Sequence, residues 1–354
     1  MISAYGFGFS STRLIAQNKD NKDFVCDIFH STIAARCFLG ILFSSICLFI
    51  IQFIYKEEYF LYMTLLGLGM ILGDILNPVW LYQGLEEMKY MTIVNFVCKV
   101  LSTCLIFMFI KSDADFIYVI LYNSIGFVFS GLLSYLIAIN KFDIPFRFPC
   151  WSSVVLRFKE GLHIFLSTIF MNLYRNSNVL ILGAFLNEHA VGIYSAAEKV
   201  IKAGQIIASP ISTALYPNMS ASFKNSPLAI NKLKIRKVSI MMAILLFGIS
   251  MCTYILSPFI GDYFLDNRDS VNLIKLMVPV IFFGGLNYIL GIVGLTNLGY
   301  QKFFLKAVII SGLISVIALF LLVKVWGNYS AGVSMCLAEM SLFMLCLFKL
   351  IKIK

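Results

Sequence analysis

Ala307-Val308-Ile309-Ile310-Ser311-Gly312-Leu313-Ile314-Ser315-Val316-Ile317-Ala318-Leu319-Phe320-Leu321-Leu322-Val323, bounded by Lys306 and Lys324, holds no charge across seventeen residues. About 20 apolar residues in a helix cross the roughly 30 Å of hydrocarbon in a bilayer, and this stretch, taken as 303–325, is such a helix. Runs of the same kind recur at 33–54, 60–85, 92–110, 116–139, 161–186, 190–217, 238–260, 273–297 and 328–351. The pattern predicts an all-α, polytopic integral membrane protein of about ten transmembrane helices. Composition agrees. Of 354 residues, 60 % are hydrophobic, 15 % aromatic and 13 % charged, whereas soluble domains run at about 45–50 % apolar and about 25 % charged. With a mean hydropathy of +0.88, water-soluble enzymes, disordered chains and secreted disulfide scaffolds are excluded.

The net charge of +10 follows from topology and implies no nucleic-acid partner. Lys and Arg collect on cytoplasmic connections of membrane proteins. With Arg36, Lys306, Lys324 and Lys349, at span ends, counted with the adjoining connections, nineteen of the 28 basic residues fall in one alternate set of connections and the two ends; four fall in the other set and five within spans. Both termini are therefore expected on the cytoplasmic side. External connections are short, with no room for a folded catalytic loop. No GxxxxGK[ST], HExxH or GxSxG pattern occurs, so no ATPase, metalloprotease or serine-hydrolase chemistry is expected, and no cofactor or metal. The nine cysteines form no CxxC pair and read as small core hydrophobes.

Lys141–Gly161 is the longest polar stretch and divides the chain after four spans and before six. The expected organisation is an N-terminal helix lobe over 1–140, a cytoplasmic linker over 141–160 and a six-helix lobe over 161–354. A faint internal echo joins Gly73-Asp74-Ile75-Leu76-Asn77 to Gly284-Gly285-Leu286-Asn287, each followed by a Gly-containing exit. If these are equivalent halves of a repeat, the four-helix lobe is short of two helices at its front.

Three segments carry a family resemblance. Asn77-Pro78-Val79-Trp80-Leu81-Tyr82-Gln83-Gly84-Leu85-Glu86 resembles the end of the fourth helix of polysaccharide flippases of the O-antigen transporter type. Tyr194-Ser195-Ala196-Ala197-Glu198-Lys199 resembles their eighth helix, and Tyr5-Gly6-Phe7-Gly8-Phe9-Ser10-Ser11-Thr12-Arg13 the cytoplasmic end of their second. The resemblance runs over essentially the whole chain and places it in the multidrug/oligosaccharidyl-lipid/polysaccharide transporter superfamily. It implies two pseudo-symmetric helix lobes and translocation of an undecaprenyl-diphosphate-linked oligosaccharide repeat unit across the bacterial inner membrane, for O-antigen or other surface polysaccharide. The implied partners are the lipid-linked oligosaccharide, the bilayer, a polysaccharide polymerase and a chain-length regulator. Family members have twelve helices, so this chain is expected to begin inside the second.

Charges at mid-membrane cost about 2.5–3.5 kcal/mol each on insertion scales and should face a cavity or a partner. Arg175 lies midway along 161–186 with Asn178 three residues on, a pair suited to phosphate because guanidinium can bind two oxygens at once; pairing with an acid on a neighbouring helix is the alternative. Glu198, Lys202, Gln205, Ser209 and Ser212 form one polar stripe at helical spacing, with Lys199 beside it, and read as lumen-facing; Glu198 and Lys202 can also neutralise each other. Asp74 and Lys99 lie on consecutive antiparallel spans, where a buried ion pair is expected. The sharper reading gives Lys99 to substrate phosphate and leaves Asp74, like Glu339, to ion coupling or helix locking. Trp80 and Tyr82 fit an interfacial aromatic belt or sugar stacking. Three rivals remain: an inactive truncated fragment, a drug/cation antiporter of the same superfamily, and a membrane glycosyltransferase or polymerase. In-span charges of −3 against +5 disfavour an acidic drug cavity, and the short outer loops disfavour the enzyme.

Overall fold

A computed structural model describes residues 5–54, 58–112, 115–261 and 268–353. Parts of the expected connections 55–58, 111–115 and 261–272 lie outside them. All regular structure among the described residues is helical, and eight helices are long and apolar enough to span a bilayer. They match eight of the ten expected spans. The remaining two stretches are helical but too polar to count by composition. The chain divides into two compact units, Met1–Leu162 and His163–Lys354.

The first unit holds α1 (Phe7–Ala16), α2 (Lys22–Ile54), α3 (Glu58–Leu76), α4 (Val79–Gly84), α5 (Met88–Phe109), α6 (Phe116–Phe142) and the beginning of α7 (Trp151–Phe185). The helix α2 starts well before the apolar run at 33, and Arg36, counted from sequence with the N-terminal segment, lies well inside it. Between α3 and α4, Pro78 has no N–H to donate and disfavours helical geometry at Asn77, so the helix stops and restarts.

Backbones of α3 and α6 meet at glycines. A Cβ on Gly73 would overlap the Phe127 carbonyl, and one on Gly131 would overlap that of Gly73. At Gly69 and Gly126 a Cβ would come within 2.8 Å of Ser124 and 2.7 Å of Ser102. Small residues permit close packing of helices where lipid supplies no hydrophobic drive. Gly73→Val is therefore expected to force α3 and α6 apart and to cut the yield of monodisperse protein in detergent several-fold. Wild-type yield and melting temperature would show that this approach is dispensable.

The segments Tyr5–Arg13 and Asn77–Glu86, which carry two of the resemblances, pack on each other. Thr12 Oγ1 lies 3.3 Å from both Gln83 Oε1 and the Trp80 carbonyl. Trp80 and Tyr82 are buried, at 2 % and 0 % exposure. Tyr82 donates its hydroxyl proton to the Ser134 carbonyl at 2.5 Å, and the Arg36 guanidinium lies 5.0 Å over the Trp80 ring. Neither residue belongs to an interfacial belt or is available for sugar stacking. The expected linker 141–160 packs on this same unit: Arg147 pairs with Asp23 at 2.8 Å, and Phe158 meets the Tyr5 ring edge-on at 5.2 Å.

The second unit holds the rest of α7, then α8 (Glu188–Gln205), α9 (Ala208–Asn225), α10 (Leu228–Phe259), α11 (Arg268–Asn287), a π-helical segment Tyr288–Thr296, α12 (Gln301–Trp326) and α13 (Tyr329–Lys352). The helix α11 is central, packed against α8, α10 and α13, with Leu273, Met277, Val280 and Ile281 fully buried. The expected span 190–217 is broken at Ile206–Ile207, so its polar stripe does not run down one helix. Pro210 contributes, because it cannot donate to the carbonyl at 206.

Backbone geometry extends the internal echo. Regular α-geometry ends at Asn77 after α3 and at Asn287 after α11. At the two exits, the Glu87 N–H donates to the Tyr82 carbonyl at 2.8 Å and the Tyr300 N–H to the Leu295 carbonyl at 2.9 Å. Each has a left-handed residue just before it, Glu86 at φ 60 and Gly299 at φ 86, in the manner of a Schellman cap. Of the nine cysteines, Cys26, Cys98 and Cys346 are buried; Cys47, Cys104, Cys150 and Cys252 are exposed, so most are not core residues. All nine are free thiols.

Candidate functional site

Within the first unit, α3, α5 and α6 enclose a cavity of about 410 Å³. Its polar lining comes from Asp74, Asn77, Asn95, Lys99, Ser102 and Ser130. The break after α3 shapes this cavity, because a helix end leaves carbonyls without intrahelical partners. Arg36 of α2 fills that gap. Its Nη1 donates to the Asn77 carbonyl at 3.1 Å and reaches the Ile75 carbonyl at 3.5 Å, and its Nη2 pairs with Asp74 Oδ2 at 2.6 Å. The Arg36 side chain is 5 % exposed and that of Asp74 45 %, so the arginine is the buried partner and the carboxylate faces the cavity.

Asp74 and Lys99 thus share a cavity without forming the expected ion pair. Arg36, counted from sequence as a residue of the N-terminal segment, takes the carboxylate. Lys99 Nζ donates to Asn123 Oδ1 at 3.0 Å. Asn95 Oδ1 accepts from Asn77 Nδ2 at 3.0 Å and from the Ser130 hydroxyl. The result is an ammonium, a carboxylate, amides and hydroxyls arranged around open space, able to hydrogen-bond a hydroxyl-rich or anionic ligand.

A second constellation lies inside the second unit. Its hub is Glu339 of α13, which is 1 % exposed. Oε1 accepts from Arg175 Nη2 at 2.6 Å and from the Tyr174 hydroxyl at 3.1 Å. Asn287 Nδ2 donates to Oε2 at 2.8 Å and to the Glu339 carbonyl at 3.0 Å. The adjoining space is about 10 Å³, room for no more than a single water. Arg175 therefore takes the partner-acid arrangement and is not a bare phosphate ligand.

Other lumen candidates disperse. Asn178 is fully buried; its Nδ2 donates to the Tyr194 hydroxyl at 3.0 Å and its Oδ1 accepts from Ser334 at 3.2 Å. Glu198, 7 % exposed, pairs with Lys202 at 2.9 Å. Lys199 and Lys202 are exposed. Gln205 Nε2 donates to the Val280 carbonyl at 2.7 Å, over Gly284, where a Cβ would collide with it. Ser212 is buried and bonds back to the Ala208 carbonyl. Sequence reasoning missed Arg36, Asn95, Tyr174 and the role of Asn287. The one available signal was the echo, which puts Asn77 and Asn287 at matching places.

Comparisons with known proteins fit this architecture. A family model described as polysaccharide biosynthesis protein matches residues 1–223. A candidate O-antigen transporter of Escherichia coli (strain K12) is 27 % identical over 360 residues, covering 96 % of this chain and 82 % of its own. A candidate O-antigen transporter of Shigella dysenteriae is 30 % identical over 224 residues, covering 62 % of this chain and 55 % of its own. Among solved structures, an outward-facing multidrug resistance MATE family transporter of the MOP superfamily superposes with a TM-score of 0.87 at 13 % identity, covering 99 % of this chain and 83 % of that one. A MATE protein in the straight conformation gives 0.81, also at 13 % identity, covering 99 % and 84 %. The solved structures establish the fold: a polytopic, all-α transporter architecture.

Proposed function

Because this chain belongs to the polysaccharide biosynthesis protein family and is similar to candidate O-antigen transporters, we propose that it carries an undecaprenyl-diphosphate-linked oligosaccharide repeat unit across the bacterial cytoplasmic membrane. The observation that carries this reading is the cavity of the first unit. It places the Lys99 ammonium, the Asp74 carboxylate and the amides of Asn77 and Asn95 around about 410 Å³, between helices whose other faces are apolar. Sugar hydroxyls and phosphate oxygens lose water on entering hydrocarbon, at a cost that only compensating hydrogen bonds offset. Lys99 supplies charge to phosphate, the amides supply donors and acceptors to hydroxyls, and the polyprenyl chain stays in lipid. Arg36 is a positioning residue that holds Asp74. The chain acts as a transporter and not as an enzyme, with both termini cytoplasmic and a polymerase downstream.

Expression in a bacterium that lacks its own flippase but makes the matching repeat unit tests this. Lys99→Ala is expected to insert and fold normally, since the side chain is exposed and its hydrogen bond is to the Asn123 amide, yet to lower surface polysaccharide at least tenfold. Lys99→Arg should retain part of the activity. Full activity of Lys99→Ala would remove the cavity from the transport route.

A further inference from the structure

The second unit holds a groove of about 560 Å³ that is unlike the first unit's cavity, because its wall is almost wholly apolar and its polar groups collect at one end. Lys232, Arg236, Ser239 and Ala243 recur on one face of α10, opposite Leu286 of α11 and Leu347 of α13. Along α13 the groove runs from Ile351 to Phe343, a rise of about 12 Å, just under half of a roughly 30 Å hydrocarbon core. The groove is therefore one leaflet deep.

Its charged end is built from two cations one turn apart. Lys232 donates to the Ile353 carbonyl at the end of α13, which ties the two walls together and leaves two further N–H groups on its ammonium. Arg236 is exposed and pairs with no acid among the described residues. One turn deeper, the Ser239 hydroxyl is buried on the groove wall without a hydrogen-bond partner. Two cations and an unmatched hydroxyl above an apolar slot complement an anionic headgroup above a hydrocarbon chain.

We propose that this groove binds an anionic glycerophospholipid, with its phosphate on Lys232 and Arg236, its ester region at Ser239 and one acyl chain running along the α13 wall toward Phe343. The depth selects the class. A diacyl lipid ends within its own leaflet, as the groove does, whereas a long polyprenyl chain would overrun it. Basic residues at the membrane surface attract anionic lipids, and the basic count places this end on the expected cytoplasmic side. The site stands apart from the transport reading and does not depend on it.

The whole chain, purified in detergent and stripped of lipid, would be melted in mixed micelles containing either phosphatidylglycerol or phosphatidylcholine. Phosphatidylglycerol is expected to raise the midpoint by several degrees and phosphatidylcholine by less than one. Arg236→Ala, which breaks no ion pair among the described residues, should abolish the difference, and Ala243→Leu, which fills the slot, should shrink it. Equal effects of the two lipids, or a full effect in Arg236→Ala, would overturn the proposal. A larger shift with undecaprenyl phosphate than with phosphatidylglycerol would also overturn it and give the groove to the transported lipid's tail.

Discussion

Arg175→Ala is expected to destabilise the chain by about 3–5 kcal/mol, the usual cost of removing one partner from a buried ion pair. Glu339 would keep its place at 1 % exposure, with Tyr174 and Asn287 still donating to it, but without the guanidinium 2.6 Å away. Marginal stabilities of about 5–15 kcal/mol make that a large fraction of the total. Glu339→Gln should be damaging too, because it leaves the arginine largely buried and uncompensated. Combined with Arg175→Met, it should recover much of the loss, since a neutral pair of similar volume carries no desolvation penalty. Thermal unfolding of the two single variants and the double variant in one detergent gives the coupling directly. Strictly additive effects would mean that the pair does not hold α7 to α13.

Arg36→Met is the second large effect, at about 3 kcal/mol. The low end applies because Asp74 is 45 % exposed on its side chain and can be screened within the cavity. Much of the loss comes instead from the carbonyls of Ile75 and Asn77, which Arg36 satisfies at the break between α3 and α4; a buried polar group left unpaired costs about 1–3 kcal/mol. The variant also removes the guanidinium that draws Asp74 away from Lys99. Transport should therefore fall further than melting temperature alone implies. Arg36→Lys should restore the charge but not the fork that serves both carbonyl and carboxylate, and should be intermediate in both measurements. A wild-type melting temperature in Arg36→Met would remove Arg36 from its supporting role.

How far the sequence could be read depends on the kind of interaction. The helix α12 was legible because seventeen residues without charge between two lysines admit one solution in a membrane protein. Arg36 was not, because a cation near the start of an apolar run reads as part of the N-terminal segment, and its partner Asp74 stands 38 positions on, where spacing cannot join them. The polar stripe from Glu198 to Ser212 has unbroken helical spacing, yet the chain breaks at Ile206–Ile207, between two apolar residues that carry no turn signal. Arg175 and Glu339 were each singled out as costly in lipid, but they stand 164 positions apart, and spacing cannot join them. Trp80 and Tyr82 show the same limit from another side: aromatic character near a span end suits a membrane interface or a packed core, and contacts with Ser134 and Arg36 decide for the core.

The central claim is movement of a lipid-linked oligosaccharide from one leaflet to the other. The most direct measurement reconstitutes the purified chain in liposomes carrying an undecaprenyl-diphosphate-linked repeat unit confined to the inner leaflet, and follows binding of an impermeant lectin outside. The predicted result is lectin accessibility rising well above that of empty liposomes, with Lys99→Ala reduced to near the empty-liposome level. Accessibility no greater than in empty liposomes, from protein shown to be folded and inserted, would contradict the account.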